Sequence, residues 1–135
     1  MFQTIILIGN LGKEPEMRYT NTGQPVTTLS VATNRRYNGS NGQPVKETTW
    51  FRVSVFAKAA ENCNQYLHKG SLVLVEGRLV CDPETGGPRL FSRKDGTPST
   101  AFEVNANTVR FLSSREEHGE DEATVAEANS ADIPF

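Results

Sequence analysis

Cysteine is scarce in this chain of 135 residues: Cys63 and Cys81 allow one disulfide at most, far from the dense framework that staples small secreted domains. Two free thiols in a reducing compartment are the expectation. Histidine is equally sparse, with only His68 and His118, and there is no Cys-x-x-Cys pair, Gly-rich Lys-Ser/Thr loop or close carboxylate pair. A metal centre, a nucleotide cradle and a hydrolytic site all lack their residues, so no catalytic residue, metal or cofactor is expected. No apolar run approaches the ~18–20 residues of a membrane-spanning helix, and Met1-Phe2-Gln3-Thr4 lacks the charged start of a leader. A soluble cytoplasmic protein that binds without turnover is the reading these absences leave.

Positive charge is missing from one part of the chain. All 14 Lys and Arg lie within residues 1–115 beside 9 acids, a surplus of +5, while residues 116–135 hold 7 acids and no base, which recovers the net −2. The whole-chain balance therefore conceals a basic body and an acidic tail. The body is long enough for one hydrophobic core and too short for two.

Within the body, Trp50 to Lys58 is the most informative stretch. Alternation in a β-strand puts Phe51, Val53, Val55 and Ala57 on one face and Trp50, Arg52, Ser54, Phe56 and Lys58 on the other. The first is a core face. The second mixes rings with cations, which is costly to bury and suits a flat anionic ligand such as unstacked nucleic-acid bases on their phosphates.

The remaining periodicity predicts a first strand over 2–9, a polar connection over 11–19, a turn at 21–25 and a second strand over 26–34 with Leu29, Val31 and Thr33 on one face and Thr28, Ser30 and Ala32 on the other. A basic loop, Arg35 to Gly42 with Tyr37 near its tip, leads to the third strand. Ala59, Ala60, Cys63, Tyr66 and Leu67 share one helical stripe, and Gly70 stops that helix. A fourth strand covers 72–79, where Glu76-Gly77 marks a bulge or bend. The turn formers of 82–88 and 94–98 flank Arg89-Leu90-Phe91-Ser92-Arg93, a second cation–ring–cation strand, before a last strand over 100–112 with Phe102, Val104 and Ala106 alternating. Five strands with one helix between the third and fourth is the order of an all-β OB-fold, a Greek-key barrel that commonly takes oligonucleotides.

Three segments follow: a binding domain over 1–112, a disordered acidic linker over 113–131, too poor in apolar area to fold, and a tip, Asp132-Ile133-Pro134-Phe135. An apolar tip on a polar tail has no folding purpose, so a partner pocket is its economical explanation.

The chain resembles the bacterial single-stranded DNA-binding protein family. Ile8-Gly9-Asn10-Leu11-Gly12, Pro15-Glu16, Arg18-Tyr19, Leu29-Ser30-Val31-Ala32-Thr33, Trp50 to Lys58, Tyr66-Leu67-His68-Lys69-Gly70-Ser71, Glu76-Gly77 and the terminal Asp132 to Phe135 carry the likeness. It implies a homotetramer that wraps single-stranded DNA, is associated with the nucleoid, and recruits replication and repair proteins through Asp132, Ile133, Pro134 and Phe135. It also implies that bases stack on Trp50, Phe56, Tyr37 and Phe91. The positions of Tyr37 and Phe91 are often tryptophan in that family, so two platforms here are smaller rings. The chain departs further in Cys81 to Pro88, an apparent insertion, and in a tail without an aspartate run before Asp132. Arg35, Arg36, Arg52, Lys58, Lys69, Arg78, Arg89, Arg93 and Lys94 are the candidate phosphate contacts. An RNA-binding OB-fold and a protein-interaction module are the rival readings, with a hydrolase a distant third.

Overall fold

The computed structural model describes residues 1–113; the acidic segment and the Asp132–Phe135 tip lie outside them. The β-branched and leucine-rich runs form β1 (Ile5–Leu11), β3 (Pro25–Asn38), β4 (Pro44–Phe56), β5 (Leu72–Leu79) and β8 (Phe102–Phe111). Short strands β2 (Glu16–Tyr19), β6 (Phe91–Ser92) and β7 (Pro98–Ser99) and a single helix, α1 (Ala57–Tyr66), complete the described part. The main sheet runs β1-β5-β8-β4-β3-β2, and β1 also pairs with β3 through Asn10↔Ala32 and Leu11↔Val31. That second pairing closes β1, β3, β4, β8 and β5 into a five-stranded barrel, with β4 and β8 parallel and the other neighbours antiparallel. This is the OB-fold architecture the strand order implied.

Inward positions alternate as a half-buried strand requires. Leu7, Leu11, Leu29, Val31, Val53, Val55, Val73, Val75 and Val104 fill the barrel, and Cys63 and Leu67 come from the helix region to meet them. The buried Thr27 hydroxyl donates to the Ala60 carbonyl at 2.7 Å, tying α1 to the barrel floor. The bend foreseen at Glu76-Gly77 is present: Glu76 opposes Thr108 while Gly77 opposes Ala106, so Asn107 is the extra residue and the register shifts there. A side chain at Gly77 would place its Cβ 2.2 Å from the Asn105 carbonyl oxygen, so only glycine permits that approach.

Several boundaries differ from the sequence reading. The first strand starts at Ile5 rather than Phe2 and continues to Leu11. The segment read as a polar connection contains β2, which pairs Glu16↔Thr28 through Tyr19↔Pro25 across the turn at Thr20–Gln24. The residues read as the Arg35–Gly42 loop are half strand: β3 extends to Asn38 because β4 begins as early as Pro44 and the two pair in register from Arg35↔Glu47 to Asn38↔Pro44. At the other end, β4 stops at Phe56; Ala57 and Lys58 belong to α1, and Ala57 is exposed rather than inward. Ala57 turns the chain from strand to helix with φ of 61°, a left-handed conformation that costs an L-residue energy. The helix ends at Tyr66, and its buried stripe keeps Ala60 and Cys63 but leaves Ala59 and Tyr66 outside. Of Arg89–Arg93 only Phe91 and Ser92 are strand, paired with Pro98 and Ser99 around the turn at Arg93–Thr97.

Candidate nucleic-acid interface

β4 carries the site because it lies between two long neighbours, β3 and β8, so its outward residues are held in rows across the barrel face. One row is Ala32–Trp50; the next is Ser30–Arg52–Glu103; then Glu16–Thr28–Ser54–Asn105; and last Arg18–Val26–Phe56. Trp50 and Phe56 are 53% and 39% exposed, while Val53 and Val55 between them are fully buried, so the two-faced strand expected from the sequence is the strand observed. Arg52 stands between the rings on the same face. Arg78 extends the Ser54–Asn105 row from β5.

Trp50 sits in a shallow seat. A Cβ on Gly12 would lie 2.3 and 2.4 Å from ring carbons Cζ3 and Cη2 of Trp50, so the bare backbone of Gly12 is the surface on which the indole rests. Gly12 is itself fixed, its N–H donating to the Ser30 carbonyl at 2.9 Å. A cleft of about 400 Å³ next to this ring is lined by Lys13, Ser30 and Arg52 among others. It adjoins a second cleft of about 250 Å³ through the shared residues Thr28 and Arg52, and the second holds Arg18, Ser54, Arg89, Phe91 and Glu103. The structure thus joins Trp50, Arg52, Arg89 and Phe91 in one groove, with Phe56 in the row beyond it.

Phe91 is 37% exposed on the short β6–β7 ribbon. The ribbon's approach is anchored by Arg89, whose Nε donates to Glu103 Oε2 at 3.0 Å and whose Nη2 reaches the same oxygen. Glu103 is only 9% exposed, so Arg89 compensates a nearly buried carboxylate.

Tyr37 is placed differently from the loop position read from the sequence. It is a strand residue opposite Val45, and alternation puts it with Thr33, Arg35 and Glu47, whereas Trp50 shares its face with Asn34, Arg36, Lys46 and Thr48. The Tyr37 hydroxyl donates to Glu47 Oε1 at 2.7 Å, the Arg35 guanidinium lies 4.6 Å from the ring centre, and Arg35 also reaches Glu47 at 3.6 Å. The bond to Glu47 is the main reason the tyrosine proton is held more tightly than usual. The ring is 37% exposed, held by its hydroxyl's bond to Glu47 and backed by the Arg35 cation on one side.

Of the other candidate cations, Arg36 faces outward beside Lys46 on the ribbon. Lys58 pairs with Glu61 at 3.6 Å on α1, and Lys69 follows the helix, its N–H taken by Glu14. Lys58, Lys69, Arg93 and Lys94 line neither cleft. Arg18, Lys13 and Glu103 line these clefts and Gly12 seats Trp50, and none of them was singled out from the sequence as a contact residue, although Gly12 and Arg18 stand in segments that carry the family likeness. A strand signal existed for Arg18, since Glu16-Met17-Arg18-Tyr19 immediately precedes a turn, but four residues are too few for alternation to declare itself.

Residues 2–112 match the profile of the single-strand binding protein family. A protein named single-stranded DNA-binding protein from Neisseria meningitidis serogroup A is 41% identical over 114 residues, 84% of this chain and 62% of that protein. Single-stranded DNA-binding protein 2 of Chlorobaculum tepidum is 38% identical over 120 residues, 88% of this chain and 76% of its own length. The single-stranded DNA-binding protein of Wolinella succinogenes is 35% identical over 115 residues, covering 85% and 67%. The chain therefore spans somewhat under two thirds of the length of the Neisseria relative.

Proposed function

The chain belongs to the single-strand binding protein family, and from that premise we propose that it binds single-stranded DNA without sequence preference and without catalysis. The observation that supports this most is the outer face of β4, where the exposed rings Trp50 and Phe56 flank Arg52 on a barrel whose inner face is fully packed. Rings offer a π-face to any base and arginine meets the phosphates, so the arrangement grips a strand while ignoring its sequence. Trp50, Phe56, Phe91 and Tyr37 are the stacking platforms in this reading, and the Lys/Arg set supplies the charge that makes binding fall with salt.

The biological setting goes with the same proposal: coverage of single strands during replication, recombination and repair in the bacterial cytoplasm. The binding unit is residues 1–112, followed by an acidic linker over 113–131 and a tip, Asp132 to Phe135, that recruits partner proteins. Assembly as a homotetramer is supported by apolar side chains left uncovered on the barrel, Ile6 on β1 and Phe102, whose ring centre is 5.8 Å from that of Phe51.

Titrating the emission of Trp50, the sole tryptophan, with oligo-dT at two salt concentrations tests ligand, face and electrostatics together. Quenching that saturates and weakens at high salt is the expected result. A matched RNA oligonucleotide that outcompetes the DNA would replace this reading with an RNA binder. Unchanged affinity in Trp50→Ala/Phe56→Ala, followed by a labelled oligonucleotide, would move the binding face off β4.

A further inference from the structure

We infer that the smaller cleft is a subsite for one backbone phosphodiester of the bound strand, in which Arg18 and Arg52 are the phosphate ligands and Arg89 is a positioning residue that cancels the charge of Glu103. The inference rests on the functional reading above and assigns roles within it. Three arginines surround the cleft, which at about 250 Å³ is small and polar. Arg18 and Arg52 have no carboxylate within ion-pair distance among the described residues, whereas both donors of Arg89 are directed at one Glu103 oxygen. Cleft-wall charge is therefore +2 rather than +3, and the two free arginines come from different strands, β2 and β4, either side of Thr28 on β3.

A nearly buried carboxylate in an anion site would repel the ligand if left bare, and burying it alone is strongly unfavourable. Its register explains its presence: Glu103 sits directly beside Arg52 on the parallel neighbour β8. Arg89 satisfies it, and the same contact fixes the chain two residues before Phe91, whose ring lines the cleft. The phosphate held by Arg18 and Arg52 would thus be the one whose adjoining base stacks on Phe91. Thr28 and Ser54, opposite each other across β3 and β4, add neutral hydroxyl donors to the floor.

The test is a salt series of oligo-dT binding, followed by anisotropy of a fluorescein-labelled oligonucleotide with the full-length chain. Arg18→Ala should weaken binding several-fold at low salt and flatten the slope of log affinity against log salt by about 0.7, the increment of one single-strand phosphate contact, and Arg18→Lys should keep the slope. Glu103→Gln, which frees Arg89, should steepen the slope by about the same 0.7. Arg89→Ala should weaken binding by baring Glu103 and releasing the anchor of Phe91, and Arg89→Ala/Glu103→Gln should recover the wild-type slope and the share of affinity lost to the bare carboxylate. An unchanged slope in Arg18→Ala overturns the assignment of that arginine. Failure of the double variant to restore binding, with a slope flattened as in Arg18→Ala, makes Arg89 a phosphate ligand and overturns its positioning role. A wild-type chain that does not bind oligo-dT overturns the functional reading itself, and this inference with it.

Discussion

Gly12→Ala separates folding from binding. The added methyl would sit 2.3 Å from Cζ3 and 2.4 Å from Cη2 of Trp50, whereas non-bonded carbons rest at about 3.5–4.0 Å, so a displacement of more than about 1 Å is required. Gly12 is held in place, because its N–H is bonded to the Ser30 carbonyl at 2.9 Å and its neighbour Leu11 is part of the barrel closure. The indole is 53% exposed and has open solvent beyond it, so the ring swings out and the barrel is spared. Stability should change by less than ~1 kcal/mol, as for a surface rearrangement. Binding should lose up to the worth of one base stack, about 1–3 kcal/mol, which corresponds to roughly 5- to 150-fold in affinity. Urea unfolding, Trp50 emission and oligo-dT anisotropy measure the three effects. Unchanged affinity despite a shifted emission maximum would refute the idea that the seat of the ring matters, and a loss of stability as large as the loss of binding would refute the separation.

Thr27→Val removes the hydroxyl that donates to the Ala60 carbonyl at 2.7 Å and should cost about 1 kcal/mol in chemical denaturation; no loss would show that α1 docks through Ala60 and Cys63 packing alone. Ala57→Gly should stabilise by roughly 0.5–1 kcal/mol, the left-handed penalty relieved at the 61° φ less the extra chain entropy of glycine; a lower urea midpoint would contradict it. Burial pushes the Cys63 thiol up from 9.0 to about 11. The folded state therefore holds this proton more tightly than the unfolded one, so the thiol's contribution is complete below pH ~9 and is lost as pH rises from 9 to 11, about 2–3 kcal/mol in all. Cys63→Ala should flatten stability over that window, and a thiol reagent at neutral pH should modify the exposed Cys81 quickly and Cys63 only on unfolding; equal rates would refute the burial argument.

The five long strands, the helix between the third and fourth, the bulge at Gly77 and the aromatic-basic face of β4 were all legible in the sequence. Each is a local statement: a two-residue or 3.6-residue period, a glycine inside an apolar run, rings and cations at alternate positions. β2 was illegible because four residues carry no measurable period, and the reach of β3 to Asn38 because polar strand residues such as Arg35 and Arg36 resemble a loop until a partner strand supplies their hydrogen bonds. The Arg35–Tyr37–Glu47 cluster depends on that register in the same way. Sequence by itself determined which rings and cations alternate on the outer face of β4 and that one barrel would form. Tertiary structure alone decided which charges remain available and where each ring rests. Glu103 takes Arg89 out of the free charge, Arg18 joins Arg52 across β3, and Gly12 seats Trp50. Such pairings arise between residues 14 to 38 positions apart in the chain, brought together by barrel closure and strand register, and a linear pattern holds no record of which side chains that closure will set side by side.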